Sequence, residues 1–218
     1  MDLIQVSREL ENFIGESLTR KISLIEDEFK NKSVGDIIPT LGKHDVTESK
    51  LKAAVELKQI AGQVNVVIHT LGILMSLPYI TQSDEIIQSL SLGAGNTGKG
   101  FDLETNKQIA EFKFIHWRGG SESERQNILF KDFFYLAESP THKYKKMYLI
   151  GKEIPLKFFN GKRSLNSIMS KNSKVKSSFF IKYNDSFQVV RDYYCFKEKE
   201  VEIVDLLKVL PQSISCLF

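Results

Sequence analysis

The stretch from Gly98 to Ile115, GKGFDLETNKQIAEFKFI, decides the fold predicted for this chain. Two short runs within it, residues 100–104 and 108–115, have the alternation of polar and apolar residues that is typical of β-strands. Asn106-Lys107 lies between them and suits a two-residue hairpin turn. With a loop of two or four residues, the numbers of facing residues add up to 213. The pattern therefore predicts an antiparallel hairpin with a defined register.

That register places charged residues together. Asp102 faces Glu111 across the hairpin, and Lys113 shares their face because side chains alternate along a strand. The opposite face is apolar and can close a core; it carries Phe101, Leu103, Ala110, Phe112 and Phe114.

Opposed carboxylates repel each other, and burial strengthens the repulsion. A cation between them removes the conflict, and Mg²⁺ is the usual cation for clustered carboxylates with open coordination positions. Lys113 adds a positive charge that can orient an attacking water and stabilise charge on a phosphate. The alternative is a solvated edge strand with unremarkable Glu and Lys residues. Ile109 and Ile115 on the same face favour a central strand, so the pattern indicates a metal-assisted phosphodiester hydrolase.

Asp102, the tripeptide Glu111-Phe112-Lys113, the hairpin that joins them and the helix that follows resemble the PD-(D/E)XK nuclease superfamily. The resemblance extends over about residues 51–150, and Phe101 stands where that family often has Pro. It implies an α/β protein with a restriction-endonuclease-like αβββαβ core and a mixed central sheet, preceded by N-terminal helices.

The resemblance also implies roles for individual residues. Asp102 and Glu111, with the backbone carbonyl of Phe112, would bind Mg²⁺, for which Mn²⁺ can substitute, and Lys113 would assist the water. Gln126 matches a catalytic Gln that several subfamilies carry on the following helix, although it also fits an ordinary polar residue near a helix start.

The family often has an acidic residue on the helix before the first strand, and Glu56 is the nearest match. A solvent-facing Glu56 is the preferred interpretation. His69, near the apolar side of the same helix, is predicted to be structural.

The 218-residue chain carries a net charge of only +3, but the charge is unevenly distributed. Residues 141–182 contain eleven Lys or Arg and one acid, Glu153. Such asymmetry indicates a surface for a polyanion, with a lysine-rich solvated surface as the alternative. The candidate nucleic-acid contacts are Arg118, Arg125, Lys143, Lys145, Lys146, Lys162 and Arg163, and DNA is favoured over RNA.

Periodicity predicts further elements along the chain. Helices are expected at Ser7–Phe29, from Thr47 to Leu77-Pro78, from the capping box of Ser121 and Glu124 to Ala137, and at Ser164–Ser170, with a break at Gly35–Gly42; strands are expected at Glu85–Leu92, Met147–Ile150 and Val201–Val204. Residues 1–82 would form a helical region that packs on a nuclease-like core of residues 83–218, as one compact protein.

Gly93, Gly95 and Gly98 fit a dinucleotide-binding pattern, and Gly93 to Lys99 fits a phosphate-binding loop. Both patterns require a helix directly after the loop, whose N-terminus holds phosphate. A strand is predicted there instead, so we reject both.

The N-terminus lacks the pattern of a signal peptide, and no run is expected to span a membrane. Two cysteines give neither a disulfide framework nor zinc spacing. These features predict an intracellular, cytoplasmic protein. Together with the hairpin pattern and the family resemblance, the sequence predicts a Mg²⁺-dependent deoxyribonuclease, with homodimerisation as an option. The alternative is a catalytically inactive nucleic-acid-binding or protein-interaction module on a nuclease-like scaffold.

Overall fold

A computed structural model describes residues 3–14, 16–29, 34–93, 100–117 and 123–218. The chain divides into two compact units, one extending to Val67 and the other covering Ile68–Phe218. The candidate site lies entirely within the second unit.

The helices and strands have the following bounds. The helices are α1 (Leu3–Ile14), α2 (Leu18–Phe29), α3 (Val34–Lys43), α4 (Glu48–Ile80), α5 (Ser123–Glu138), α6 (Glu153–Phe159), α7 (Leu165–Ile168), α8 (Ser173–Tyr183), α9 (Val190–Lys197), α10 (Leu206–Val209) and α11 (Gln212–Ser215). The strands are β1 (Ile87–Leu90), β2 (Leu103–Thr105), β3 (Gln108–Lys113), β4 (Tyr144–Leu149) and β5 (Val201–Asp205).

Two expectations for the first unit are wrong. The single helix expected over residues 7–29 is two helices, because Ser17 begins a new helix by accepting hydrogen bonds from Arg20 and Lys21. Pro39 does not break the chain, since α3 continues through it with one fewer backbone hydrogen bond. The end of α3 is held by Lys43 and His44, which both contact Glu28 of α2 at 2.7 Å.

The long helix expected after Thr47 is confirmed as α4, which includes Pro78 in its last turn. One helix bears on the expectation that no run spans a membrane. By length and composition alone, α4 is the one helix in the described ranges that is long and apolar enough to cross a membrane. An 18-residue window in it has a mean hydropathy of 1.6, and 17% of that window is buried. Within the second unit, Ile73 and Ser76 of α4 are fully buried.

The second unit contains a five-stranded mixed sheet in the order β1-β2-β3-β4-β5. β1, β2 and β3 pair antiparallel, whereas β3, β4 and β5 pair parallel. All three further strands expected from the sequence are therefore confirmed, as is the central position of β3. Strand β2 also follows the glycine-rich loop, as the rejection of the two phosphate motifs requires; residues 94–99 of that loop lie outside the described residues.

Each face of the sheet has its own core. The face with Ile109, Met147 and Leu149 packs against α5 and the aromatic residues of α6, α8 and α9. The other face carries Leu103, Ala110, Phe112, Phe114 and Tyr148, and it packs around Ile73 of α4. Phe101 is the exception among the five predicted apolar residues. It packs on the α5 side because it precedes the first residue of β2, where strict alternation no longer applies.

Helix α5 ends one residue beyond the predicted Ala137. Ser121, the predicted capping residue, lies outside the described residues. The helix expected at Ser164–Ser170 is confirmed as α7. Helices α6, α8 and α9 were not expected. They lie between β4 and β5, within and after the lysine-rich residues 141–182, which we call the basic segment.

Candidate active site

The hairpin has the predicted register. Leu103 faces Ala110, and Glu104 faces Ile109, so that facing residues add up to 213. Asp102 directly precedes β2 and adjoins Glu111 across the hairpin. The N–H of Phe112 donates to Oδ2 of Asp102 at 2.9 Å and fixes the orientation of this carboxylate. Asp102 and Glu111 are thus held by the backbone of two neighbouring strands.

Lys113 completes the predicted trio. Its Nζ lies 3.5 Å from Oε2 of Glu111, and both side chains lie on the α5 face of the central strand. The side chain of Glu111 is 14% exposed and that of Lys113 is 30% exposed. The three residues therefore form a half-buried cluster that solvent can reach.

A fourth charged residue, Asp132 of α5, joins the cluster, and the sequence pattern did not predict it. Asp132 is 5% exposed, and its Oδ2 lies 2.8 Å from Nζ of Lys113. A signal was present in the sequence, because Asp132 interrupts the buried stripe that contains Leu129 and Phe133. A carboxylate on the buried face of a helix requires a partner, and Lys113 is that partner.

His69 of α4 was predicted to be structural, and its ring does pack edge-on against Phe114. Its Nε2 also lies 3.4 Å from Oδ1 of Asp102. Oδ1 and Oδ2 of Asp102 therefore have different partners, His69 and the N–H of Phe112. His69 borders the candidate site and is not merely part of the core.

The site separates the protonation behaviour of its two predicted metal ligands. Burial alone would raise the pKa of Asp102, but His69, Lys113 and the N–H of Phe112 together hold it below its usual value. Burial, reinforced by Asp132, raises the pKa of Glu111 to about 8. At neutral pH without a cation, Asp102 is an anion and Glu111 keeps its proton, with a hydrogen bond between the two carboxyl groups.

Lys113 remains charged. Burial acts to lower its pKa, but Asp132, Glu111 and Asp102 reverse that effect and raise the pKa above its ordinary value. Lys113 is consequently a fixed ammonium and a poor proton acceptor. The cluster can provide one permanent anion, one titrating carboxyl and one permanent cation within a few ångströms.

The chemistry of the cluster fits a hard divalent cation. Carboxylate oxygens are the ligands that Mg²⁺ prefers, and this ion usually takes one or two carboxylates and keeps several waters. In the described ranges, no group of three or more His, Cys, Asp or Glu side chains has metal-binding geometry. Asp102 and Glu111, which adjoin each other, could supply carboxylate ligands to such an ion. The role of the Phe112 carbonyl stays a prediction.

Gln126, the predicted catalytic residue of α5, has a different partner from the cluster. Its side-chain oxygen accepts a hydrogen bond from Arg163, which precedes α7. It lies six residues before Asp132, which corresponds to roughly 9 Å along a helix and 240° around it. The structure thus shows Asp132, and not Gln126, in contact with Lys113.

Glu56 lies on the part of α4 that belongs to the first unit. Among the predicted nucleic-acid contacts, Arg118 lies outside the described residues. Arg125 and Lys162 are exposed.

The predicted basic contacts in β4 and directly before it have acidic or carbonyl partners. Lys143 binds Glu104 at 2.7 Å, Lys145 donates to the carbonyl of Ala137 at 2.8 Å, and Lys146 lies 3.9 Å from Glu202. A surface depression of about 440 Å³ is lined by residues that include Lys143, Lys145, Tyr144, Lys199 and Glu200.

This depression and the candidate site lie near opposite ends of β4. Lys113 pairs with Leu149, five residues beyond Tyr144, or roughly 17 Å along the strand. Lys146 also lies on the other face of the sheet from Lys113, by strand alternation. A polyanion bound at the candidate site would therefore contact cations other than Lys143, Lys145 and Lys146.

Comparison with protein-family models, curated proteins and solved structures finds no match.

Proposed function

We propose that this protein is a Mg²⁺-dependent nuclease that hydrolyses DNA phosphodiester bonds at the cluster of Asp102, Glu111 and Lys113. The observation that carries the proposal is that Glu111 and Lys113 share one face of the central strand, while Asp102, directly before the neighbouring strand, adjoins Glu111. Stability alone does not favour such a cluster, since removing two carboxylates from water and placing them together costs free energy. A divalent cation and a phosphate would compensate for that cost.

The order of elements supports a restriction-endonuclease-like fold as part of the proposal. α4, β1, β2, β3, α5 and β4 follow one another as α, β, β, β, α and β. β3 lies in the middle of the sheet, and the Glu and Lys lie on it. Helices α6–α9 and strand β5 are additions to that core.

Bound Mg²⁺ would supply Lewis acidity, generating a nucleophile from water and neutralising phosphate charge. Asp102 is already ionised and held by Phe112, so it would provide the permanent ligand. Glu111 would join it by releasing its proton, since a metal ligand must be deprotonated. Lys113, as a fixed cation, would orient the water and stabilise negative charge that builds on the phosphate.

The exposed lysines of the basic segment would bind the rest of the polyanion. Lys157, Lys162, Lys171 and Lys174 are exposed, unlike Lys143, Lys145 and Lys146. Because each neutralised phosphate releases counterions, DNA binding should weaken steeply as salt increases. Replacing Lys171 and Lys174 with Gln should reduce that salt dependence, as measured by fluorescence anisotropy with labelled DNA.

The direct test compares two Asp-to-Asn variants. Asp102→Asn keeps the shape of the side chain but removes the charge of the candidate metal ligand. Asp84→Asn is the matched control, because the Asp84 side chain is 71% exposed and pairs with Lys107 near the other end of the hairpin. Each protein is incubated with supercoiled and single-stranded DNA in Mg²⁺, Mn²⁺ or EDTA.

We expect metal-dependent cleavage by the wild type and the Asp84→Asn variant, and a loss of at least about a hundredfold for Asp102→Asn. Intact DNA in every condition, together with no calorimetric binding of Mg²⁺ or Mn²⁺, would refute the nuclease proposal for these substrates. DNA binding that persists without cleavage would support the alternative of an inactive binding module.

A further inference from the structure

Asp132 contacts two lysines from a buried position. Its Oδ2 lies 2.8 Å from Nζ of Lys113, and its Oδ1 lies 3.2 Å from Nζ of Lys131. The contact of Lys113 with Asp132 is shorter than its 3.5 Å contact with Glu111. Asp132 is therefore the closer of these two partners of the Lys113 ammonium.

A lysine needs such a partner to act at a defined point. Its four-carbon stem is flexible, and its ammonium is a compact charge with rotatable donors. Two carboxylates at different distances fix the ammonium between a helix and a strand. If Glu111 bound a metal, the contact with Asp132 would still hold Lys113 in place.

Packing of α5 does not require this carboxylate. Leu129, Phe130 and Phe133 are buried in the α5 core, where the Phe133 ring is tilted against Phe159 and edge-on to Tyr193. Well-packed apolar residues often stabilise a protein as much as a buried ion pair does, or more. An acid at this point of the helix is explained by what it contacts, which is the cation of the candidate site.

We propose that Asp132 is a positioning residue, which anchors Lys113 beside Glu111 as a fixed cation and places Lys131 next to it as a second cation for phosphate. This inference rests on the proposed nuclease function. Lys131 can serve in that way because its side chain is 37% exposed, whereas Asp132 is buried behind it. Asp132 does not touch the reacting atoms, and it acts through the two ammonium groups.

The anchor is testable without any activity. Asp132→Asn, Lys113→Met and the double variant form a cycle whose unfolding by urea is followed through Trp117. This residue is the single tryptophan, and it is buried in the α5 core, so its fluorescence reports on this unit. We expect the unfolding equilibrium constants to be non-additive by about fivefold or more, as for residues in direct contact. Additive effects within twofold would overturn the anchor.

The role in cleavage is tested by comparing Asp132→Asn with Asp132→Glu. Asn keeps the shape of Asp132 but loses its charge, whereas Glu keeps the charge but adds a methylene to a packed position. If Asp132 positions Lys113 through its charge, the Glu variant should cleave DNA faster than the Asn variant when both are assayed under conditions in which Trp117 fluorescence shows each to be fully folded. Equal rates for the two folded variants would mean that the charge of Asp132 has no part in cleavage.

Metal binding supplies the second measurement. We expect Asp132→Asn to lower kcat for nicking of supercoiled DNA by about tenfold or more. Calorimetry above the Glu111 pKa of about 8, where Glu111 is ionised in both proteins, should give a Mg²⁺ affinity within threefold of the wild type. A parallel loss of metal affinity, or a faster Asn than Glu variant, would overturn the positioning role. A wild type that binds Mg²⁺ and DNA but cleaves nothing would refute the proposed function and, with it, this role, while the unfolding cycle still decides whether the anchor exists.

Discussion

Replacing Glu111 with Gln removes a carboxyl group whose pKa is raised by burial and by the neighbouring Asp132, so that it keeps its proton in the folded protein at neutral pH. Gln resembles the protonated acid in size and hydrogen bonding but cannot ionise. The comparison between wild type and Glu111→Gln therefore isolates the titration of one side chain. It requires no assumption about substrate.

The sign of the effect follows from the two pKa values of Glu111. The value is 4.5 in the unfolded chain and about 8 in the folded protein. Below pH 4.5 the carboxyl is protonated in both states, and its full stabilising contribution is present. Between these values the unfolded state has lost the proton and the folded state has kept it, so stability falls as pH rises. Above pH 8 the contribution is lost.

The magnitude is bounded by the same values. Each tenfold change in a proton equilibrium corresponds to about 1.4 kcal/mol, so a rise from 4.5 to about 8 allows a loss of at most about 5 kcal/mol. The shifted pKa values of Asp102 and Lys113 act below and above this window, since their ordinary values are 3.8 and 10.5. We expect a loss of about 2 kcal/mol or more between pH 5 and pH 8 that the Gln variant does not show.

The assay is urea unfolding in EDTA at half-unit steps from pH 5 to pH 8.5, followed through Trp117 fluorescence. The wild-type free energy of unfolding is subtracted from that of Glu111→Gln at each pH, which cancels the histidines and all other groups common to both proteins. A difference that stays constant across the window would refute the protonated state of Glu111. A difference that falls with pH would mean that the sign is wrong.

Three further predictions concern the metal and the two faces of α4. Adding Mg²⁺ should raise the free energy of unfolding by about 2.7 kcal/mol at a hundred times its Kd, and the rise should be larger at pH 8 than at pH 5.5. The Asp102→Asn variant should show little of this stabilisation, and an equal rise in that variant would mean that the ion binds elsewhere. Gly72→Ala should destabilise the second unit by roughly 1–3 kcal/mol, because the new Cβ would lie 2.6 Å from atoms of the buried Phe114 ring. The control Gly62→Ala meets nothing within 4 Å and should be neutral or stabilising, so equal urea midpoints for the two variants would contradict the predicted clash. If a second copy of the chain covers the exposed side of α4, Leu71→Glu should convert a dimer into a monomer, as measured by light scattering. The unfolding curve followed through Trp117 should not change, since Leu71 is 52% exposed. A wild type that is already monomeric would rule out the homodimer.

The sheet was largely predictable because its signals are local. The hairpin register follows from the parity of a two-residue loop, and the alternation of Phe112 and Lys113 assigns each side chain to a face. Neighbouring apolar runs on both sides of the hairpin identified the other strands. None of these inferences needs a contact between residues that are far apart in the chain.

The helical regions were less predictable, because their boundaries depend on long-range packing. Nothing in the periodicity of residues 7–29 marks the new start at Ser17. Pro39 is tolerated in α3, whose end is tied to Glu28 of another helix. The helices of the basic segment contain many Ser, Lys and Phe residues, and the clearest ordering influence on α8 is the burial of Phe179 against Tyr193 and other distant rings.

The candidate site shows the same division between local and distant information. Asp102, Glu111 and Lys113 lie on one hairpin, so the sequence could place them together. Asp132 and His69 come from helices on opposite faces of the sheet, and only the packed structure brings them to Lys113 and Asp102. Resemblance directed attention to Gln126 on α5, but helical phase turns that residue toward Arg163.

A more general physical signal would have found Asp132 without a family pattern. A carboxylate in the buried stripe of an amphipathic helix loses solvation, so the fold must supply a cation opposite it. The cations available on the strand that faces α5 are few, and Lys113 is the one on the correct face of β3. Pairing buried charges across predicted core faces therefore leads from the sequence to the Asp132–Lys113 contact. Because Lys113 also touches Glu111, that single contact connects the core of α5 to the chemistry proposed for the hairpin.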